Sequence, residues 1–183
     1  MTYYGGKELA ASFRTVRRNT IQIAEEIPEG SYGFKPAEGS RTVGQTLAHI
    51  GMVSAFQTYV HQNHLTTIAN VNFPELLGKF GAEESKPRTK AETIDFLKTE
   101  GEKFASYLEG LSDAFLAETV GMPPGAQPAA KSRFEMLMSA KEHEMHHRGQ
   151  LMLAERMLGL TPHLTRQMQE RMAGQTATAP AGR

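Results

Sequence analysis

Cysteine is absent from this chain, and so is tryptophan. Without thiols there are no disulfides, no cysteine nucleophile and no thiolate zinc site, which leaves imidazole and carboxylate as the strong metal ligands. No apolar run approaches the ~20 residues that a helix needs to span a bilayer, so no membrane partner is expected. Net charge is missing too, since Lys+Arg and Asp+Glu both count 20. A neutral chain has no field to attract a phosphate backbone, which argues against nucleic acid as a partner. The first residues lack an apolar stretch of the secretory kind, and a cytoplasmic location is expected. Internal repeats and strand-length alternation are also lacking. What remains is an ordinary globular composition, 39% apolar and 22% charged in 183 residues. That is enough for one domain with a proper core, expected over 1–173. The segment 174–183, rich in Ala, Thr, Pro and Gly, reads as a disordered tail.

Helical periodicity dominates. Leu9, Phe13, Val16, Thr20, Ile23 and Ile27 step by threes and fours, one stripe of an amphipathic helix that Pro28 and Gly30 end. Thr42 with Gln45 has the form of a capping box and opens a second helix reaching to about His64. The segment 65–89 then reads as a long connection with a short helical turn after Phe73-Pro74. Thr89 with Glu92 starts a third helix, whose stripe through Ile94, Leu97, Phe104 and Leu108 runs to Ser112. Gly121 to Pro128 is too rich in Gly and Pro to be helical throughout. Ser132 and Glu135 open a fourth helix, which Gly159 is placed to cap and Pro162 to stop. His163 to Ala173 reads as a short polar helix. The fold class is therefore all-α, a four-helix bundle with long connections.

The fourth helix carries an anomaly. Its core-facing steps read Met136, Ala140, His143, His147, Gln150, Ala154 and Leu158, so polar groups stand where apolar ones belong. Buried polar groups need partners. Residues four apart on a helix project from one face, so His143 and His147 can reach one metal ion. His49, on the core-facing side of the second helix, can supply a third nitrogen. A lone core histidine is more often a hydrogen-bonded structural residue, but three of them in this arrangement favour a divalent metal centre. Gln150 reads as a group orienting a ligand, because an amide binds zinc-like ions poorly. Glu144 is an acid–base candidate beside it. His146 stands to one side of the stripe, where it can orient a partner, and His61, His64 and His163 read as solvated.

His143-Glu144-Met145-His146-His147 also satisfies H-E-x-x-H, the zincin protease pattern. Three features oppose that reading: no strand is visible to hold an extended substrate, Gln150 replaces the glycine of the metzincin extension, and Glu170 lies beyond a Gly-Leu-Thr-Pro break.

The stretch from Phe34 to His49, together with His143-Glu-Met-His-His-Arg-Gly-Gln150 and Leu158-Gly-Leu-Thr-Pro162, resembles the DinB/YfiT-like metalloenzyme family over residues 7–162. The resemblance places the family's ligands on His49, His143 and His147, and implies frequent homodimers. It also implies bound nickel or zinc, with iron or manganese as further candidates. Characterised relatives include thiol-S-transferases that use bacillithiol, mycothiol or glutathione, and a mycothiol-dependent isomerase. Relatives often carry a Trp near the second helix, which this chain lacks. A metal-dependent thiol-S-transferase-like activity on a small molecule is the leading expectation, with a low-molecular-weight thiol as partner. The rivals are a hydrolase using a metal-bound hydroxide and a non-catalytic metal-binding stress-response protein. The line Met138, Met145, Met152 is a candidate dimer seam.

Overall fold

In the computed structural model, which describes residues 4–178, the chain is mostly helical. Four long helices form the bundle: α1 (Gly6–Glu26), α2 (Val43–Gln62), α4 (Lys90–Glu109) and α6 (Arg133–Met157). Between and after them lie α3 (Phe73–Glu84), α5 (Asp113–Ala117) and α7 (His163–Thr178). Around the bundle the order of neighbours is α1, α4, α2, α6 and back to α1. No helix among the described residues is long and apolar enough to cross a membrane.

The helix starts are set by side chains that satisfy free amides. Thr42 Oγ1 accepts from the Gln45 amide at 3.1 Å while Gln45 Oε1 accepts from the Thr42 amide at 3.0 Å. Thr89 and Glu92 make the same reciprocal pair, and Ser132 Oγ accepts from the Glu135 amide. At the far end of α6, Gly159 takes φ +80°, which lets the Leu160 amide reach back to the Glu155 carbonyl at 2.8 Å.

The connections hold more structure than expected. The segment after Phe73-Pro74 is a full helix, α3, started by Asn72 accepting from the Glu75 amide. The third bundle helix stops at Glu109, because Ser112 serves instead as the cap of α5. Strands β1 (Thr119–Gly121) and β2 (Ala130–Ser132) pair antiparallel, and Thr67 bridges to Gly121. Strands of three residues are too short to show an alternation, so the sequence pattern missed them. Of the segment 174–183 expected to lack structure, 174–178 continue α7 and 179–183 lie outside the described residues.

Two apolar clusters fill the bundle. One gathers Ile23, Ile27, Leu47, Ile50, Leu97 and Leu151, the other Leu9, Phe13, Phe104, Leu108 and Leu137. Among the buried residues between them on α1, α4 and α6 are Arg17, Gly101 and Glu144. Arg17 is 3% exposed and Glu144 fully buried. The guanidinium donates to both Glu144 oxygens at 3.0–3.1 Å, to the Leu97 carbonyl at 2.7 Å and to the Ile50 carbonyl at 3.1 Å. One side chain of α1 thereby ties together α2, α4 and α6. Gly101 makes room for it, since a Cβ there would lie 2.8 Å from the Arg17 side chain.

His61 and His163 are buried, contrary to the solvated reading, while His64 is exposed. His61 Nδ1 accepts from the Arg133 guanidinium at 3.1 Å, and Nε2–H donates to Gln57 Oε1 at 3.2 Å. Arg133 in turn donates to Glu118 and lies over the Phe115 ring, so the tertiary packing of α5 and the hairpin encloses a helix end that looks open in sequence. Burial, reinforced by the Arg133 charge, lowers the His61 pKa from 6.5 to about 4. The folded pKa lies below the unfolded one, so acid protonates the unfolded chain first and stability is lost as pH falls through this window. Replacing His61 by Gln, which still accepts from Arg133 but does not titrate, is expected to flatten the acid loss of unfolding free energy. The reduction should be about 2 kcal/mol between near-neutral pH and pH ~4.5 in chemical denaturation. Identical pH profiles would refute the assignment.

Candidate metal centre

His49 comes from the middle of α2 and His143 and His147 from adjacent turns of α6, the helix that packs beside it. Their ligand atoms all lie within 4.8 Å of one another. His143 Nε2 is 3.3 Å from His49 Nε2 and 3.2 Å from His147 Nε2. Two nitrogens sharing a tetrahedral ion with bonds of ~2.0–2.1 Å stand roughly 3.3 Å apart, so these separations suit a common ion.

The outer nitrogens decide which atom faces inward. His49 Nδ1 lies 3.0 Å from Glu84 Oε2, and a carboxylate partner requires the ring to donate there. His147 Nδ1 lies 2.8 Å from Gln150 Oε1, and Gln150 Nε2 faces His146 Nε2 at 3.2 Å, which sets the amide's direction. Both rings therefore carry their proton outside and aim an Nε2 lone pair at the centre. A single proton on His143 Nε2 can satisfy one of those lone pairs and not both. A divalent cation satisfies all three, and the donor set of neutral imidazoles fits zinc or nickel. His143 Nδ1 is buried and has no hydrogen-bond partner among the described residues.

Burial first, then neighbouring charge, lowers the pKa of all three imidazoles, that of His143 to about 4. They stand neutral near pH 7, the form that coordinates.

The cluster sits on the seam between α2 and α6, while the bundle axis belongs to Arg17 and Glu144. Of the expected stripe of α6, Met136, Ala140, His147 and Ala154 are buried, but the buried arc is wider and also takes in Leu137, Glu144, Leu151 and Glu155, while Gln150 is exposed. Glu144 is therefore not brought to the site. It points into the core, where Arg17 engages both its oxygens. Gln150 does stand beside a ring, and His146 does orient a partner, namely Gln150. Glu84 is the residue that sequence reasoning missed. It lies at the end of α3, where only a short helical turn was expected, and it also pairs with Arg41 at 2.6 Å.

A cavity opens on each side of the cluster. One of about 570 Å³ has Arg41, Gln45, Glu84, His147 and Gln150 among its lining residues. The other, about 370 Å³, has His49 and His143 in its wall and is lined by side chains of α2, α3 and α6.

Fold and site together define a helical bundle with a three-histidine cluster fit for a divalent metal. The sequence pattern of the DinB superfamily matches residues 12–151, and the chain belongs to that family. An uncharacterized protein of Bacillus subtilis, YjoA, is 27% identical over 154 residues, 84% of this chain and 91% of that protein. The crystal structure of YjoA, a DinB-like protein, superposes with a TM-score of 0.62 at 23% identity over 84% of this chain and 94% of YjoA. YfiT from Bacillus subtilis, described as a probable metal-dependent hydrolase with an unusual four-helix bundle topology, superposes with a TM-score of 0.66. Its identity is 13%, over 88% of this chain and 91% of YfiT. These likenesses establish a shared bundle fold.

Proposed function

We propose that this protein is a divalent-metal-dependent enzyme of small molecules, with His49, His143 and His147 as the ligands and nickel or zinc as the first candidates. Iron and manganese follow. The observation that carries the reading is the convergence of three Nε2 atoms, two of them fixed by acceptors on the opposite ring nitrogen. Three protein ligands leave a divalent ion a position for an exchangeable group, and a thiol or water held there loses its proton near neutral pH.

Thiol transfer is the first reading. The chain has no cysteine of its own, so a low-molecular-weight thiol must supply the sulfur. The sulfur lone pair forms the new C–S bond at an electrophilic carbon, the leaving group takes the electron pair of the bond it loses, and the thiol proton passes to solvent. With Glu144 committed to Arg17 and Glu84 to His49 and Arg41, no carboxylate among the described residues at the cluster is free to activate water. The nucleophile would then be one that the metal itself activates, a requirement that thiol and water share. The polar cavity, with Arg41 and Gln45, suits the charged and amide groups of such a thiol. Hydrolysis is the second reading, favoured by the description of YfiT.

Metal-loaded and metal-stripped protein, assayed for thiol conjugation and for ester hydrolysis, tests both. Metal-dependent conjugation supports transfer, and turnover without thiol supports hydrolysis. Silence in both, with metal bound, supports a non-catalytic metal-binding stress-response protein. A cytoplasmic location and a homodimer complete the proposal. Of the methionine line, Met138 and Met152 pack against the two apolar clusters. Met145 is exposed and continues instead with Gly149, Leu153 and Met157 along the outer face of α6, which is the better seam for a second copy.

A further inference from the structure

Helix α3 has no buried residue, yet it carries Phe73, Leu76, Leu77 and Phe80 at helical spacing on one side. All four line the cavity of about 370 Å³ between α3, α2 and α6, together with Met52 and Phe56. The Phe73 ring lies 5.8 Å from that of Phe56, on the α2 wall. Large apolar side chains around a hole leave dispersion contacts unmade and apolar surface wet, a cost that an apolar occupant removes.

The chemistry of the wall narrows that occupant. Among the described residues, no Asp, Glu, Lys or Arg lines the cavity. Its two uncharged polar side chains are engaged within the protein: Gln57 Nε2 donates to Ser139 Oγ at 3.1 Å, Gln57 Oε1 accepts from His61, and Ser139 Oγ–H donates to the Met136 carbonyl at 2.6 Å. The remaining polar lining is His49 and His143, whose Nε2 atoms face the proposed ion. The cavity on the other side of the cluster, by contrast, contains Arg41 and Glu84. The volume is at the small end of the ~300–1,000 Å³ usual for ligand sites.

We propose that the cavity under α3 binds the uncharged hydrocarbon part of the substrate, an alkyl or aryl group whose reactive end lies at His49 and His143. This rests on the metal reading of the cluster. It assigns the two sides of the centre different tasks: the Arg41 side takes the polar reactant, and the α3 side takes the apolar one and sets its size.

A series of straight-chain hydroxamates, starting with acetohydroxamate, titrated calorimetrically into the zinc-loaded full chain, tests the assignment. The head group binds an open metal position and the tail probes the cavity. Affinity is expected to rise about three- to fourfold per methylene until the cavity is full, then to level off. Leu76→Trp, which fills the space, should bring the plateau to shorter tails, and Phe80→Ala, which enlarges it, to longer ones. Acetohydroxamate should bind all three proteins alike. A flat series in the wild-type protein, or a plateau that neither variant moves, overturns the proposal while leaving the metal centre standing. Failure of acetohydroxamate to bind, or of the protein to hold zinc, overturns the metal reading and this inference with it.

Discussion

Replacing His143 by Ala is expected to abolish stoichiometric metal binding, as are His49→Ala and His147→Ala. His143 is the middle donor, within 3.3 Å of both other Nε2 atoms. Its loss leaves two nitrogens on different helices and no carboxylate free to replace it. The graded control is Glu84→Gln. The amide can still accept from His49 Nδ1–H, but it loses the charge that makes the imidazole a stronger donor and the ion pair that holds Arg41. Orienting partners of this kind contribute roughly 10–100-fold in affinity, so Glu84→Gln should weaken binding within that range without abolishing it. His61→Ala and His163→Ala should keep the metal, because Arg133 and Asn19 are their neighbours and the cluster is not. Metal analysis of purified folded protein, with chelator competition for Glu84→Gln, reads all of these. Full metal occupancy in His143→Ala would exclude the three-histidine site.

The second large effect lies in the core. Arg17→Met removes a guanidinium that engages Glu144, Ile50 and Leu97, and it leaves a fully buried carboxylate without its hydrogen-bonded ion-pair partner. Breaking a buried pair from one side costs ~3–5 kcal/mol, a large share of the ~5–15 kcal/mol that holds a domain folded. Removing both partners with apolar groups of similar volume is often neutral or stabilising. Arg17→Met should therefore lose about 3–5 kcal/mol in urea denaturation, and Arg17→Met/Glu144→Leu should recover most of it. Equal losses in the two would mean that the backbone carbonyls, and not the carboxylate, are what Arg17 serves. The same experiment separates Glu144 from chemistry, since the double variant should retain the metal.

The long bundle helices and the three converging donors were readable because helical periodicity is local. A four-residue step puts His143 and His147 on one face wherever α6 packs, and capping pairs such as Thr42 with Gln45 lie within one turn. The same locality explains the errors. The buried arc of α6 is broad, and the residues alone do not say whether His143, Glu144 or Gln150 faces the axis. The arc takes in Glu144 beside His147, and the partner that makes a buried carboxylate tolerable there, Arg17, stands on another helix. His61 looks solvated because the residues around it in sequence end a helix, whereas the groups that bury it, Arg133 and Phe115, come from distant segments.

By itself the sequence determined an all-α fold, the absence of any sulfur ligand from cysteine, and the set of imidazoles able to meet at one point. Only the tertiary structure decided that Glu84 orients one of those rings, that Glu144 belongs to the core, and that two unlike cavities flank the cluster. The physical reason is range. Backbone hydrogen bonds and side-chain periodicity act within a turn or two of helix, while burial and charge pairing depend on which helices happen to lie side by side.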